Sequence, residues 1–316
     1  MRIPEVVQAT WGTFHQFHLA KQLYKRGMLK CIFSTYPHLR LKREGLGKEK
    51  VHTFPWFHAP LMAKSKYGIR IPWLDEGLES LNRTAFPAYV AHKLPECNVF
   101  IALSGTGYKA GPLAQRRGAK YICDRGSSHI RYQDNILREE FARWGQEFPG
   151  INSKAMAHEE TEYAAADIIT VPSEFARESF IHEGIPSYKV RKIPYGADLT
   201  TFSKTSDPPQ YEFNVLFVGQ VSFQKGVPYL LQAFSNFKNR RKKLTIIGAL
   251  QPEVRKLMIG KHFDHINFIG VKPHAELKHY MRVSHVMVLP SIQEGLALVQ
   301  GEAMACGCPL VSTANT

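Results

Sequence analysis

Residues 294–312 read Glu-Gly-Leu-Ala-Leu-Val-Gln-Gly-Glu-Ala-Met-Ala-Cys-Gly-Cys-Pro-Leu-Val-Ser and follow a hydrophobic stretch that predicts a strand. Two carboxylates stand here with seven residues between them, Glu294 in the predicted turn and Glu302 inside a predicted helix. In open α/β sheets, a loop that leaves a strand and enters a helix binds phosphorylated ligands. We therefore expect its N–H groups to meet phosphate oxygens and its carboxylates to accept hydrogen bonds from sugar or ribose hydroxyls. The N–H groups are those of Gly295, Leu296, Ala297 and Leu298.

This passage resembles the E-x7-E motif of retaining, nucleotide-sugar-dependent glycosyltransferases of family 4 (glycosyl transferases group 1). The resemblance rests on the spacing, the preceding strand, the Glu-Gly turn and the Glu-Ala-Met-Ala-Cys-Gly continuation. It implies the α/β fold called GT-B, in which two Rossmann-like doubly wound domains face a cleft. It also implies that Glu294 holds donor-sugar hydroxyls, that Glu302 holds the ribose, and that no cofactor or obligatory metal is needed. The alternative is a solvated acid at a helix start and another on the helix surface.

The bulk composition is that of a globular protein long enough for two domains. Of its 316 residues, 44% are apolar and 22% are charged, and single cores seldom grow beyond about 250–300 residues. No apolar run in the sequence approaches the ~20 residues that span a bilayer, and the N-terminus lacks the apolar core of a signal peptide. The five cysteines are scattered and odd in number, which is typical of reduced thiols. We therefore expect a cytoplasmic location.

The formal net charge of +14 is the one unusual bulk property. Such a charge attracts nucleic acid, anionic membrane surfaces or anionic substrates. The densest basic run, residues 238–243, precedes an apolar strand and is interpreted as a solvated helix end. Because no nucleic-acid-binding motif accompanies it, we expect no nucleic acid partner.

Strand-like and helix-like segments alternate along the chain, and this alternation predicts parallel sheets with crossover helices. A helix is predicted from Phe14 to Lys25, and Ser173 stands where the N-cap of another helix belongs. The polar, doubly prolyl stretch 203–210 predicts a linker between an acceptor-side domain over 1–203 and a donor domain over 211–316. The predicted strands are Glu5–Ala9, Leu29–Ser34, Val99–Leu103, Tyr121–Cys123, Ile168–Val171, Val190–Ile193, Val215–Val218, Leu244–Ile247, Ile266–Ile269 and Val286–Leu289.

The sequence stops directly after a further predicted strand. A Rossmann-like half should continue with another helix and strand to cover that edge of its sheet. The family resemblance implies the same continuation. We therefore expect a C-terminally truncated sequence with an incomplete second domain.

A second donor-binding segment is expected at residues 219–226, between a predicted strand and a predicted helix. Lys225 there can point at phosphates near the helix start. In the family this loop carries an Arg and a Lys that clamp the donor diphosphate; Lys225 matches the Lys, whereas Gln220 replaces the Arg. Gly12, after the first strand, suits close approach of backbone to a phosphate or sugar. The alternative for Gly12 is a role in packing of the strand-to-helix turn. The alternative for Lys225 is a surface lysine without a ligand.

Asp124, Arg125 and His129 cluster in a loop after the predicted strand Tyr121–Cys123. In doubly wound folds such loops meet the ligand, so Asp124 and His129 are catalytic candidates together with Glu294. Which of the three N-terminal side chains contacts the reacting sugar is left open. An Asp124–Arg125 ion pair that holds the loop is an equally good interpretation. His15 and His18, one helical turn apart without a third ligand, are interpreted as surface or interdomain histidines.

The segment Phe54–Leu74 interleaves aromatic residues, among them Trp56 and Trp73, with lysine and arginine. Such a mixture suits an anionic membrane interface, where lipid-linked acceptors lie. Its prolines and missing 3.6-residue period favour ordinary packing of a long excursion. Membrane contact, peripheral and at the inner face, is the alternative.

Together these features predict an enzyme of the hexosyltransferase type. It would transfer a sugar from a nucleoside-diphosphate sugar to a glycan or lipid-linked acceptor, with retention implied by the resemblance. Positive charge and amides near the leaving diphosphate provide the physical basis. A GT-B epimerase or phosphorylase and a non-catalytic nucleotide-sugar-binding protein are the alternatives.

Overall fold

The computed structural model describes residues 3–66, 71–260 and 263–316. The chain folds into two compact units that are not simple halves of the sequence. Unit 1 comprises Met1–Gly126, Ile151–Val171 and Gly184–Arg191. Unit 2 comprises Ser127–Gly150, Pro172–Glu183 and Lys192–Thr316. The chain thus passes from one unit to the other several times before residue 192.

The strands are short and mostly apolar. They are β1 (Val6–Thr10), β2 (Leu29–Ser34), β3 (Val51–Thr53), β4 (Val99–Leu103), β5 (Lys120–Asp124), β6 (Ile168–Val171), β7 (Val190–Lys192), β8 (Phe213–Val218), β9 (Lys242–Ile247), β10 (Ile266–Gly270), β11 (Val286–Leu289) and β12 (Leu310–Ser312). All five residues of β1 are buried, as expected for a strand covered on both faces.

Helices connect most of these strands. They are α1 (Phe14–Lys25), α2 (His38–Leu41), α3 (His58–Lys66), α4 (Pro72–Lys93), α5 (Ala110–Arg116), α6 (Ile130–Arg143), α7 (Ser153–Ala165), α8 (Glu174–His182), α9 (Val227–Asn236), α10 (Pro252–Met258), α11 (Leu277–Arg282) and α12 (Leu298–Ala305). Four short 3-10 turns, Lys42–Glu44, Lys48–Lys50, Ser187–Lys189 and His274–Glu276, supplement them. Within the described residues, no helix is long and apolar enough to cross a membrane.

Unit 1 is built on a seven-stranded sheet with the order β3-β2-β1-β4-β5-β6-β7. Its central pairs, β1 with β2 and β1 with β4, are parallel. The direction of strand succession reverses between β1 and β4, which makes that point the topological switch of the sheet. Ligands of doubly wound sheets bind at such a point, outside the carboxyl ends of the strands.

Unit 2 repeats this plan with a five-stranded parallel sheet, β10-β9-β8-β11-β12. Its switch point lies between β8 and β11, which are paired through Val215 and Val286. Helices α9, α11 and α12 cover the sheet with apolar side chains, including the fully buried Val227, Met281 and Ala303. Both units are therefore doubly wound α/β structures, and the predicted fold class is confirmed.

Several elements predicted from the sequence are confirmed at residue level. The helix Phe14–Lys25 and the strand Val286–Leu289 have the predicted ends. The Ser173 side chain caps α8 by accepting a hydrogen bond from the Ala176 N–H at 3.2 Å. The three-residue strand β3 was not predicted, because so short an edge strand carries little pattern.

The segment Phe54–Leu74 contains α3 and the beginning of α4. Tyr67, Ile69 and Arg70 of this segment, for which membrane contact was the alternative, lie outside the described residues. Trp56 and Trp73 are 72% and 75% exposed. Neither indole is therefore buried in the unit, whereas Phe54 of the same segment stacks on Tyr89 with ring centroids 4.9 Å apart, as the packing interpretation expects.

Candidate active site

The candidate donor site lies at the switch point of unit 2, where the loops after β8 and β11 pass each other. Gly226, which precedes α9, has φ +64°, and a Cβ there would lie 1.9 Å from the Pro290 carbonyl oxygen. The left-handed conformation and the close backbone approach both require glycine at this position. The approach fixes the loop 219–226 against the loop 290–297.

Lys225 and Glu294, one from each loop, form an ion pair between Nζ and Oε2. Both side chains are largely buried, with 19% and 15% exposed. Burial lowers the pKa of Lys225 to about 8 because it disfavours the ammonium form. The adjoining Glu294 carboxylate opposes that shift, because an opposite charge stabilises the ammonium form. Lys225 thus has a partner in the ligand-free protein, which the sequence did not indicate.

A buried glutamine next to Glu294 ties this loop to a third segment of unit 2. Gln293 Nε2 donates to Ser127 Oγ at 2.7 Å and to Ser128 Oγ at 2.9 Å. Its Oε1 accepts from Gln224 Nε2 at 2.8 Å. Because Gln293 is fully buried, these bonds hold Glu294 and Lys225 from both sides.

The helix that carries Glu302, α12, begins only at the last of the four predicted phosphate-binding amides. Its first residue is Leu298, Ala297 is the N-cap, and Gly295 and Leu296 lie in the preceding loop. The Gly295 N–H points at Oε1 of its neighbour Glu294 at 3.4 Å. The four amides therefore form a loop and first helical turn beside Glu294, which is a common anion-binding arrangement.

Glu302, on α12, is 6% exposed and has one identified partner. Its Oε1 lies 2.8 Å from His274 Nε2, while its buried Oε2 has no hydrogen-bond partner among the described residues. The His274 ring lies 5.1 Å from that of Phe202 and the side chain is 66% exposed. Each acid of the motif is thus contacted by a basic side chain, Glu294 by Lys225 and Glu302 by His274.

Gln220, which stands where the resemblance implies an arginine, is exposed directly after β8. Its amide can donate a hydrogen bond but supplies no charge. Lys225 is therefore the cation that this loop brings to the candidate site.

Gly12, the predicted contact of unit 1, follows β1 with φ +68°. A Cβ there would lie 2.8 Å from Tyr36 Cζ, so a structural reason for glycine is present. Its N–H donates to Thr35 Oγ1 at 3.1 Å and its carbonyl accepts from Ser34 Oγ at 2.7 Å. Both loops are thereby joined at the carboxyl edge of the sheet of unit 1.

Asp124 ends β5 and is held by three side chains of unit 1. Its Oδ2 contacts His15 Nε2 at 2.5 Å and accepts from Gln16 Nε2, and its Oδ1 accepts from Thr170 Oγ1 at 2.6 Å. Both carboxylate oxygens are thus engaged, and Asp124 is only 9% exposed. This geometry favours a structural role. The contact with His15 was not predicted, since the two residues lie far apart in the sequence.

Arg125 does not pair with Asp124, so the ion pair considered from the sequence is wrong. Its Nη1 donates to Glu159 Oε2 at 2.7 Å and to Ser104 Oγ at 3.2 Å. Burial disfavours the charged guanidinium, but the Glu159 carboxylate together with Tyr163, Cys123 and Glu162 raises the pKa of Arg125. The pair joins the loop after β5 to α7.

His129 is the N-cap of α6 in unit 2. Its Nδ1 accepts from the Arg131 N–H at 3.3 Å, and its ring lies edge-on to Phe180 at 5.0 Å. The side chain is buried, with 3% of the residue exposed. Its identified contacts are those of a helix cap, whereas the sequence indicated a catalytic candidate.

The structure brings Glu294, Lys225 and the amides 295–298 together in unit 2. Gln293 and His274 are the additional polar residues that sequence reasoning missed. Neither carries a pattern of its own, although Gln293 directly precedes the first acid of the motif. Within the described parts of the chain, no group of three or more His, Cys, Asp or Glu side chains is arranged to hold a metal ion.

Comparison with known proteins finds a family match in the C-terminal part. Residues 200–316 match the family described as "Glycosyl transferases group 1". A D-inositol 3-phosphate glycosyltransferase of Pseudarthrobacter chlorophenolicus is 32% identical over 168 residues, which cover 47% of this chain and 40% of that protein. An uncharacterized glycosyltransferase of Methanocaldococcus jannaschii is 28% identical over 210 residues, 61% of this chain and 52% of that protein. The chain spans about half the length of the curated relatives it matches.

Solved structures resemble almost the whole chain. Sucrose-phosphate synthase from Thermosynechococcus elongatus matches with a TM-score of 0.67 and 19% identity, covering 98% of this chain and 81% of that chain. Anabaena HepE in complex with UDP and glucose matches with a TM-score of 0.61 and 14% identity, covering 98% and 80%. At these identities the likeness shows the fold, which is GT-B with two Rossmann-like domains.

Proposed function

We propose that this protein is a retaining glycosyltransferase of the hexosyltransferase type that uses a nucleoside-diphosphate sugar. The observation that carries the proposal is the Lys225–Glu294 contact at the switch point of unit 2. It joins a cation suited to a diphosphate and a carboxylate suited to sugar hydroxyls beside the amides of residues 295–298. The match of residues 200–316 to glycosyl transferases group 1 supports the same reaction class.

In the proposed reaction, charge accumulates on the nucleoside diphosphate as its bond to the sugar breaks. Lys225 and the amides 295–298 stabilise that charge, and they do so without a metal or cofactor. Glu294 accepts hydrogen bonds from donor-sugar hydroxyls, and Glu302 accepts them from the ribose. Its unpartnered Oε2 can accept a ribose hydroxyl once the side chain turns toward the ligand. Asp124 and His129 enter the proposal as positioning residues.

The acceptor in this proposal is a glycan or a lipid-linked saccharide. The protein acts in the cytoplasm, with peripheral contact at an anionic inner membrane face and without nucleic acid. The exposed Trp56 and Trp73 and the net charge of +14 support this location. The proposed acceptor-side residues belong to unit 1, and the donor-side residues Lys225, Glu294 and Glu302 belong to unit 2.

A thermal-shift screen across nucleotide sugars tests the donor, because a ligand that binds the folded state raises its melting temperature. The stabilising donor is then incubated with and without glycan and lipid-linked acceptors, and products are identified by mass spectrometry and anomeric NMR. A product with the donor's anomeric configuration is expected only with acceptor. Conversion of the donor without acceptor would assign an epimerase, and binding without turnover in any arm would assign a binding protein.

A further inference from the structure

A cavity of about 1070 Å³ lies wholly within unit 1. It opens at the switch point of that sheet, because its lining includes Trp11 after β1 and Ser104 after β4. The Trp11 indole donates to the Ser104 carbonyl oxygen at 3.3 Å, so the two loops are joined there. Tyr36 after β2 and helices α2, α3, α4 and α7 supply the remaining walls. Its size and mixed aromatic and polar lining are those of a small-molecule site.

The carboxylates of this cavity are already neutralised by neighbouring cations. Asp75 Oδ1 lies 2.5 Å from Lys64 Nζ. Glu79 Oε2 lies 3.3 Å from Arg83 Nη1. Glu159 Oε2 accepts from the Arg125 guanidinium described above. The acidic side chains therefore leave no net negative charge to repel an anionic ligand.

Arg40 differs from the other cations of the cavity wall. Its guanidinium lies over the Tyr36 ring at 4.2 Å, and Nη1 contacts Met62 Sδ at 3.7 Å. Among residues 3–66, 71–260 and 263–316, no carboxylate lies within ion-pair distance of it. The ring fixes the guanidinium in place and leaves its N–H groups available for a planar or tetrahedral anion.

His58, also on the cavity wall, presents a second donor. Thr35 is fully buried, and its Oγ1 accepts the Gly12 N–H at 3.1 Å while lying 3.2 Å from His58 Nδ1. In the described part of the chain, Nδ1 is the acceptor within reach of the Thr35 hydroxyl proton. A neutral ring with an acceptor at Nδ1 carries its proton on Nε2. Burial, followed by the Arg40 charge, lowers the pKa of His58 and so favours the neutral ring.

We propose that this cavity binds the acceptor through an anionic group, a phosphate or carboxylate, held by the Arg40 guanidinium and the His58 Nε2–H. The inference rests on the proposed function, in which unit 1 receives the acceptor. It adds the acceptor's chemical class: a saccharide or polyol that carries negative charge, in place of a neutral glycan. The Gly12–Thr35–His58 chain of hydrogen bonds then acts as a positioning device, because it fixes which ring nitrogen faces the ligand.

Binding to the full chain, measured by calorimetry without donor, tests the proposal with two anionic probes and a neutral one. Glucose 6-phosphate represents a free source of the anion, a long-chain alkyl phosphate in phosphatidylcholine vesicles represents a lipid headgroup, and glucose is the neutral reference. We expect at least one anionic probe to bind more tightly than glucose. Arg40→Gln should weaken the binding of that probe roughly tenfold to hundredfold, which is the loss of affinity expected for one charge-assisted contact.

Three further variants separate local contact from general charge and from misfolding. Arg43→Gln removes the same charge three residues away, from a side chain that is 64% exposed and does not line the cavity. In His58→Gln, the amide N–H lies at about the position of the histidine Nε2–H. In His58→Asn, the shorter amide lies at about the position of Nδ1 instead. We expect Arg43→Gln and His58→Gln to retain most of the binding and His58→Asn to lose it.

Equal affinity for the neutral and anionic probes would overturn the proposal. An equal loss of affinity for the anionic probe in Arg40→Gln and Arg43→Gln would overturn it as well. If Arg40→Gln weakens only the binding of glucose 6-phosphate, the acceptor is a free molecule. If it weakens only the binding of the vesicle-bound alkyl phosphate, the acceptor is linked to a lipid. Donor affinity, measured separately with nucleoside diphosphates and Lys225→Ala, belongs to unit 2. A protein that binds no nucleoside diphosphate would contradict the proposed function without affecting the anion site.

Discussion

The burial of Lys225 should make the proposed binding of a nucleoside diphosphate dependent on pH. Its pKa is lowered by burial to about 8, and a bound diphosphate raises it again because the anion stabilises the ammonium form. Above pH 8 the free protein loses a proton that the complex keeps, so affinity falls as pH rises. We expect a loss of roughly tenfold between pH 7.5 and 9.5, measured by calorimetry at constant ionic strength.

Lys225→Arg is the control for this prediction, because a guanidinium stays charged throughout that range. Its affinity should change little with pH. Glu294→Gln removes the carboxylate that stabilises the ammonium and should move the fall to lower pH. The same pH profile in the wild type and in Lys225→Arg would assign the titration to another group.

The two acids of the motif should differ in the kinetic step that they affect. Glu294→Gln removes a carboxylate proposed to contact the donor sugar, so turnover should fall strongly with a modest change in diphosphate affinity. Glu302→Gln should weaken donor and free nucleotide alike, by roughly tenfold. His274→Ala, which removes the partner of Glu302 at 2.8 Å, should follow Glu302→Gln. Wild-type turnover and nucleotide affinity in both acid variants would leave only the interpretation as solvated acids.

At the scale of elements, Gly226 determines how closely the loops after β8 and β11 approach. Gly226→Ala places a Cβ 1.9 Å from the Pro290 carbonyl oxygen, so both the clash and the backbone strain should destabilise unit 2. Gly270→Ala is the matched control, because Gly270 has a similar φ of +71° but a Cβ there would meet no atom within 4 Å. In urea unfolding, we expect the control to lower the free energy of unfolding by about 1–2 kcal/mol. Gly226→Ala should lower it by clearly more. Equal losses would show that strain alone matters.

The loop after β4 is held by a buried acid on α7. Glu162 accepts hydrogen bonds from the Gly105 N–H at 2.7 Å and the Gly107 N–H at 2.5 Å. Burial nevertheless raises its pKa to about 8. Because the folded state then binds a proton that the unfolded chain releases near pH 4–5, stability should fall as pH rises from about 5 to 8.

Glu162→Gln removes this proton linkage and should flatten the dependence of the unfolding free energy on pH. It should also be less stable at pH 5, because the amide NH₂ faces backbone donors that need an acceptor. Glu49→Gln, an exposed acid of unit 1, is the control and should leave the slope unchanged. A slope that persists in Glu162→Gln would contradict the assignment.

Pattern was sufficient for many of the elements, although not for the short strand β3, and it was not sufficient for the contacts between elements. The 3.6-residue period of Phe14–Lys25 and the apolar run Val286–Leu289 determine local structure, because burial of one face or both faces acts within a few residues. The partners of Glu294 and Glu302 lie 69 and 28 residues away in the sequence. Such contacts follow from strand order, which no local pattern contains.

The same limit explains the N-terminal candidates. Asp124 and His129 lie five residues apart in the sequence, yet Asp124 ends a strand of unit 1 and His129 caps a helix of unit 2. Polar residues near a strand end were expected to form one cluster. The chain instead passes from unit 1 to unit 2 after Gly126, so each side chain makes its identified contacts within a different unit.

At the scale of the whole molecule, charge and exposed aromatic residues predict reversible binding to anionic membranes. The chain carries a net charge of +14, and Trp56 and Trp73 of unit 1 are exposed. Anionic lipid attracts the basic surface, and indole rings prefer the interface between headgroups and acyl chains. We therefore expect the protein to sediment with phosphatidylglycerol vesicles and to be released by salt, which screens surface charge.

Replacement of Trp56 and Trp73 by Ser should reduce this sedimentation without changing nucleoside diphosphate affinity, because the diphosphate contacts proposed here lie in unit 2. Tyr211→Ser provides the control: this aromatic residue is 73% exposed in unit 2, outside the segment Phe54–Leu74. Its loss should leave sedimentation unchanged. Equal partition of the wild type into neutral and anionic vesicles would reject an electrostatic contact. Equal losses in the Trp and Tyr variants would instead indicate non-specific adsorption of a basic protein, with no contribution from Phe54–Leu74.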